Sequence, residues 1–144
     1  METLPFVWII LFPLAASPLV YLSGRVGKKL SHNLPQIIGM IALLAAWIPF
    51  AQAALVLNRG EQLFFKLGTI SLCLDGLSLL VAAVSLGLGV FVVLFSESYL
   101  SLETGQEKYY AMLLAMIAMI VGLGCACDLF NLWIWFETMA IASY

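Results

Sequence analysis

One acidic side chain, Glu137, lies inside a long apolar stretch that begins after Asp128 and runs to Tyr144. At the helical rise of 1.5 Å per residue, Glu137 lies roughly 13 Å into that stretch, near the middle of a hydrocarbon core about 30 Å thick. An acid at that depth costs on the order of 2.5–3.5 kcal/mol to insert, and such residues belong by default to proton or ion pathways. We therefore predict that Glu137 transfers protons. The structural alternative is a protonated acid that only hydrogen-bonds a neighbouring helix.

Three further residues are candidates to support Glu137. Trp133 and Tyr144 share its helix face, at steps of four and seven residues, and the Tyr144 hydroxyl could hydrogen-bond near the carboxyl group. Asp128 is placed to cap the helix that carries Glu137, with a position at the mouth of an ion path as its second interpretation. No basic residue is available at the depth of Glu137, because every Lys and Arg lies in a predicted loop or at a helix end.

The three cysteines are weak candidates for a metal site. Cys125 and Cys127 form a C-x-C pair and Cys73 lies in an earlier loop, but the single histidine, His32, falls in a different loop. A structural zinc site uses four ligands, so we interpret the cysteines as small packed thiols. No phosphate-binding loop, nucleophile triad or haem motif occurs, and we expect no cofactor and no redox centre in this chain.

The composition shows which elements must hold these residues. Of the 144 residues, 64% are hydrophobic and 10% are charged, and the mean hydropathy is +1.09. Soluble domains carry about 25% charged residues, so a soluble protein is excluded, as are a disordered chain and a disulfide scaffold. A net charge of −2 offers no basic surface for nucleic acid.

Long uncharged runs predict an all-α, polytopic bundle of about five transmembrane helices, forming a single membrane unit over residues 1–144. The predicted spans are 4–24, 34–57, 76–96, 109–127 and a shorter, truncated run at 129–144. Between the second and third spans, polar and apolar residues alternate after a turn at Gly68. Period-two alternation predicts a short β-hairpin, which we place on the outer membrane surface.

The basic residues predict the orientation. The loop after the first span holds Arg25, Lys28 and Lys29, whereas the next loop holds Arg59 and Lys66. The positive-inside rule then places the first loop in the cytoplasm, with the N-terminus and the hairpin outside.

Several segments resemble the antiporter-like membrane subunits of respiratory complex I, of Mrp-type sodium/proton antiporters and of membrane-bound hydrogenases. The most specific segment is 127–144, CDLFNLWIWFETMAIASY. The segments 107–114 and 122–124 agree with the same pattern, while 74–78 and 96–100 are similar to the start and end of the family's third helix. The similarity extends over nearly the whole chain.

This resemblance implies a function and a set of partners. Family members have about fourteen helices with two inverted repeats of five, and a glutamate on helix five of the first repeat pairs with a lysine on helix seven. Glu137 occupies the position of that glutamate. The resemblance thus implies translocation of protons, or exchange of sodium for protons, within an NADH:quinone oxidoreductase or Mrp-type complex. It also implies other membrane subunits as partners, in the bilayer of an energy-transducing membrane such as a bacterial cell membrane.

The sequence ends before the helix that would supply the lysine, so we expect an N-terminal part of a larger subunit, or one piece of a split one. Two other functions remain open at this point. The chain could be a structural membrane subunit that transports nothing. It could also be a small multidrug exporter driven by protons, although such exporters carry their acid in the first helix, which here has none.

Overall fold

The computed structural model describes residues 4–26, 34–60, 63–100 and 105–143, and it confirms a helical bundle with a small hairpin. The elements in chain order are α1 (Leu4–Val26), α2 (Leu34–Asn58), β1 (Leu63–Leu67), β2 (Ile70–Leu74), α3 (Gly76–Leu100), α4 (Gln106–Gly124) and α5 (Leu129–Ser143). Four helices, α1 to α4, are long and apolar enough to cross a membrane. Helix α5 has 15 described residues, about 22 Å at helical rise.

Helix α4 is the centre of the bundle, since it packs against α1, α2, α3 and α5. Its inward side chains, among them Leu114, Ala118 and Val121, are completely buried. Close approach to its neighbours depends on glycine. A Cβ on Gly89 of α3 would lie 2.5 Å from Ile117 of α4, and a Cβ on Gly122 would lie 2.6 Å from the ring of Trp135 in α5.

The outward faces of the helices are apolar, as expected for contact with lipid tails. The clearest case is a line of exposed residues that recurs every three or four positions along α3, which we call the α3 stripe: Leu77, Leu80, Val84, Leu88, Phe91 and Phe95. Such a surface is incompatible with water and marks the chain as a membrane protein.

The two ends of the bundle differ in character. At one end, called the basic end, Gly24 of α1 lies against Glu107 at the start of α4 and against Pro35 at the start of α2. Arg25 and Lys108 also belong to this end. The opposite end, called the hairpin end, holds β1 and β2, the start of α3, the end of α4 and the start of α5.

The hairpin end contains a third, strand-like segment. Strands β1 and β2 pair antiparallel, with Leu63 opposite Leu74 and Leu67 opposite Ile70, and Gly68 takes a positive φ of 61° in the turn. Leu72 of β2 also forms an antiparallel bridge with Ala126. Helix α4 therefore ends at Gly124, whereas the sequence places its span at 109–127, because residues 125–127 pair with the hairpin rather than continuing the helix.

Candidate functional site

Glu137 lies on the exposed side of α5, in the second half of the helix. Its neighbours along that side are Phe130, Trp133 and Ile141, which follow helical spacing and are all exposed, Ile141 to 72%. We call these four residues the α5 stripe. The stripe is as apolar as the α3 stripe except at one position, where it presents a carboxyl group.

The opposite side of α5 packs against α4. Trp135 is half-buried there, over Gly122, and Asn131 is the most deeply buried residue of α5, at 2% exposure. Within the described residues α5 thus has one helix as its main neighbour, and the side that carries Glu137 is directed away from it.

The predicted supporting residues have different positions relative to Glu137. Trp133 is exposed and belongs to the α5 stripe, one helical turn before Glu137. Tyr144 lies outside the described residues. Asp128 precedes the first turn of α5, roughly 13 Å along the helix axis from Glu137, so the structure does not bring the two carboxyl groups together.

Asp128 caps α5, as the sequence predicts. Its Oδ1 accepts a hydrogen bond from the backbone N–H of Asn131 at 2.8 Å, the geometry of an N-cap residue and the third residue of the helix. Its Oδ2 accepts from the Ser71 hydroxyl group and from the Asn131 amide at 2.7 Å. These hydrogen bonds, that from Ser71 foremost, lower the pKa of Asp128 below its usual value because they stabilise the ionised form.

Asn131 joins the hairpin to α5. In addition to Asp128, its Nδ2 donates to the carbonyl oxygen of Thr69 at 3.1 Å and to Ser71 Oγ at 3.2 Å. Asn131 is not among the residues predicted from the sequence. The available signal was a polar amide in the first turn of an otherwise apolar helix, three residues after an acidic cap.

A second aspartate caps α3 at the same end of the bundle. Asp75 Oδ1 accepts from the backbone N–H of Ser78 at 2.7 Å and from its hydroxyl group at 2.6 Å. The Ser78 hydroxyl group also lies 2.6 Å from the carbonyl oxygen of Gly124 at the end of α4. The Ser78 hydrogen bonds lower the pKa of Asp75. The starts of α3 and α5 are thus each held by an aspartate and a serine at the hairpin end.

The interpretation of all three cysteines as packed thiols is wrong for two of them. Cys73 and Cys127 form a disulfide, with their Cα atoms 5.4 Å apart, a separation usual for such bonds. Cys125 is a buried free thiol, and burial raises its pKa to about 12. The pairing was hidden in the sequence because the two residues are 54 positions apart and meet only once residues 125–127 lie beside β2.

No family model matches the chain, but individual relatives do. It is 30% identical over 141 residues to the probable inorganic carbon transporter subunit DabB1 of Halothiobacillus neapolitanus, covering 95% of this chain and 25% of that protein. It is 30% identical over 155 residues to NADH-quinone oxidoreductase subunit L of Pseudomonas aeruginosa, covering 100% of this chain and 25% of that protein. The chloroplastic NAD(P)H-quinone oxidoreductase subunit 5 of Physcomitrium patens is 24% identical over 156 residues. The alignment covers 96% of this chain and 21% of that protein.

These relatives confirm the resemblance that the sequence segments indicate. They are antiporter-like membrane subunits of the complex I and Mrp type, and those named as NADH- or NAD(P)H-quinone oxidoreductase subunits belong to multi-subunit complexes. The chain spans about a quarter of the length of the curated relatives it matches.

Proposed function

From its homology to the antiporter-like subunits of complex I and Mrp-type assemblies, we propose that this chain contributes Glu137 to a proton pathway across an energy-transducing membrane. In this proposal the chain acts as the N-terminal part of a proton- or sodium/proton-translocating unit, and Glu137 takes up and releases a proton near the middle of the bilayer. The relatives support ion translocation in the general sense, through similarity that extends over nearly the whole chain.

The observation that carries the proposal is the position of Glu137 on the α5 stripe. A carboxyl group that faces lipid in mid-membrane is costly, so acids at this depth face a protein interior or a water-filled cavity. In the described residues the stripe faces away from α4. We infer that a further helix covers it, and that Glu137 lies between that helix and α5.

The proposed partner of Glu137 is a basic side chain from outside these 144 residues. The basic residues that the structure describes lie at helix ends or in the hairpin region: Arg25, Arg59, Lys66 and Lys108. A cation close to Glu137 favours its ionised form, and withdrawal of that cation favours the protonated form. Alternation between these two arrangements would move a proton, or couple proton movement to sodium.

The first test replaces Glu137 by Gln, which keeps the size and removes the titration. We expect the rate of proton uptake into membrane vesicles, driven by an imposed potassium diffusion potential and followed with a pH-sensitive dye, to fall at least about tenfold, in the range lost with a proton-transfer group. Rates are normalised to the amount of the chain in the membrane. Glu137→Asp, which keeps an ionisable group, is expected to retain a measurable part of the rate.

The matched control is Glu107→Gln, the same chemical change at the basic end of the bundle, where we expect a normal rate. Normal uptake by Glu137→Gln, with wild-type amounts of the chain in the membrane, would refute the relay. That result would favour the alternative of a structural subunit, in which the α5 stripe serves only for packing.

A further inference from the structure

We infer that the Cys73–Cys127 disulfide is a covalent clasp, formed on the non-cytoplasmic side of the membrane, that fastens the hairpin to the start of α5. The inference is independent of proton transfer by Glu137. It assigns a modification to two residues and a membrane side to the hairpin end, and both assignments can be tested without any transport assay.

The backbone around the clasp is held on both sides of the bond. The N–H of Cys73 donates to the carbonyl oxygen of Cys125 at 2.8 Å, and the N–H of Cys127 donates to the carbonyl oxygen of Ser71 at 3.2 Å. These two hydrogen bonds flank the Leu72–Ala126 bridge. The antiparallel register thus keeps residues 73 and 127 on one face of the paired segments, close enough for their sulfur atoms to bond.

The third cysteine is unsuited to take part in this bond. Cys125 lies opposite Cys73 in the register, but its side chain is 1% exposed, whereas Cys73 and Cys127 are both partly accessible. Burial holds the pKa of Cys125 at about 12, so almost none of it is thiolate at neutral pH. Because the thiolate is the attacking species in disulfide exchange, Cys125 stays reduced while its neighbours pair.

The chemistry of the bond indicates the side of the membrane. Two thiols become one disulfide by losing two protons and two electrons, and the electrons reduce a disulfide of a thiol oxidoreductase to two thiols. Bacterial cells maintain such oxidants outside the cytoplasm, whereas glutathione and thioredoxin keep the thiols of cytoplasmic proteins reduced. The basic residues of the sequence agree with this side. Four of the six come before α2 or at the start of α4 (Arg25, Lys28, Lys29 and Lys108), whereas two come next to or within the hairpin (Arg59 and Lys66), and the more basic side faces the cytoplasm.

The first experiment counts free thiols in the chain as it exists in the membrane. Cells are quenched with acid, the protein is denatured, and a maleimide that adds visible mass to each thiol is applied with or without prior reduction. We expect one tag without reduction and three after it. The Cys125→Ser variant identifies the pair: we expect no tag without reduction and two after it.

Two results would overturn the clasp. Three tags on the unreduced wild-type chain would show that no disulfide forms. Two tags on unreduced Cys125→Ser, together with one tag on the unreduced wild-type chain, would show that Cys125 is a member of the bonded pair instead. If the disulfide stabilises the fold, its reduction lowers the thermal midpoint of Cys125→Ser by about 5 °C or more. The control is Cys73→Ser added to Cys125→Ser. This double variant has no disulfide to reduce, and we expect no shift on reduction.

The second experiment determines the side of the membrane. Spheroplasts that carry Cys125→Ser are treated with a membrane-impermeant phosphine reductant and then with an impermeant maleimide. We expect two tags before lysis. Lys108→Cys, added to this background at the exposed start of α4, is expected to gain its extra tag only after lysis. Tagging of Lys108→Cys but not of the clasp in intact spheroplasts would refute the assigned side.

Discussion

Gly122 determines how closely α5 approaches α4, because the ring of Trp135 occupies the space that any side chain at this position would need. Three glycines of α3 and α4, Gly89, Gly122 and Gly124, allow a close contact with a neighbouring helix in this way. Gly89 faces Ile117 and Gly124 faces Val81, at distances that leave no room for a Cβ, whereas a Cβ on Gly87 would meet no atom of another part of the bundle within 4 Å. Sequence alone presents these glycines as equivalent, since each lies in an apolar helix.

This difference gives a stability prediction at the scale of single residues. We expect Gly122→Ala to destabilise the chain by about 1–3 kcal/mol, because the new methyl group lies 2.6 Å from the Trp135 ring and overpacking costs about that much. The measurement is the thermal midpoint in detergent, followed by the fluorescence of the tryptophans.

Gly87→Ala is the matched control, with the same added methyl group in a helix of the same bundle. We expect it to be neutral or slightly stabilising, because Ala is the better helix former by about 1 kcal/mol and the space is open. Equal losses in the two variants would mean that contact with Trp135 does not limit the packing of α4 and α5.

At the scale of elements, the start of α5 depends on a charge that acid removes. The pKa of Asp128 is lowered in the folded chain, chiefly by the Ser71 hydroxyl group. A carboxyl group of this kind stabilises the fold at pH values above its ordinary pKa of 3.8, and this stabilisation is lost as the pH falls through the lower value of the folded state. Asp128 therefore contributes its full stabilisation of the folded chain at neutral pH.

We expect Asp128→Asn to have a lower thermal midpoint than the wild-type chain at pH 7, and the difference to shrink towards pH 3. Asn still caps the helix through its side-chain oxygen, so the comparison isolates the charge and the hydrogen bonds that Oδ2 accepts from Ser71 and from the Asn131 amide. The measurement is a series of thermal midpoints between pH 7 and pH 3. Glu107→Gln, at the basic end, is the control and is expected to follow the wild-type curve. A constant difference at all pH values would show that the charge of Asp128 is not what matters.

The elements also show what a sequence can and cannot reveal. The helices and the hairpin follow from local patterns, namely long uncharged runs and the period-two alternation from Ile70 to Leu74. The cap at Asp128 is equally local. The disulfide and the Asn131 bonds to the hairpin are not local, because they depend on residues 125–127 leaving the helix and pairing with β2. No pattern within one segment encodes that contact.

At the scale of the whole molecule, the α3 stripe and the α5 stripe are both exposed, but their compositions favour contact with different surroundings. The α3 stripe is apolar throughout and fits lipid tails. The α5 stripe contains Glu137 and therefore fits a protein or water-lined surface. If the proposed function is correct, the bundle contacts lipid along α3 and contacts protein along α5. The two stripes then differ in their access to a reagent dissolved in the lipid.

We expect a photoactivated hydrophobic reagent dissolved in the native membrane to modify the α3 stripe several-fold more than the α5 stripe, because a covering helix shields the latter from lipid. Peptide mass spectrometry locates the modified residues. Phe91 and Trp133 give a matched pair, since both are aromatic and are exposed to 59% and 57%.

When the purified chain alone is labelled in lipid, we expect labelling of Trp133 to reach the level of Phe91, because the covering helix has been removed. Equal labelling already in the native membrane would place Glu137 against lipid, where its ionised form is too costly to cycle, and the proposed pathway would then have to run elsewhere.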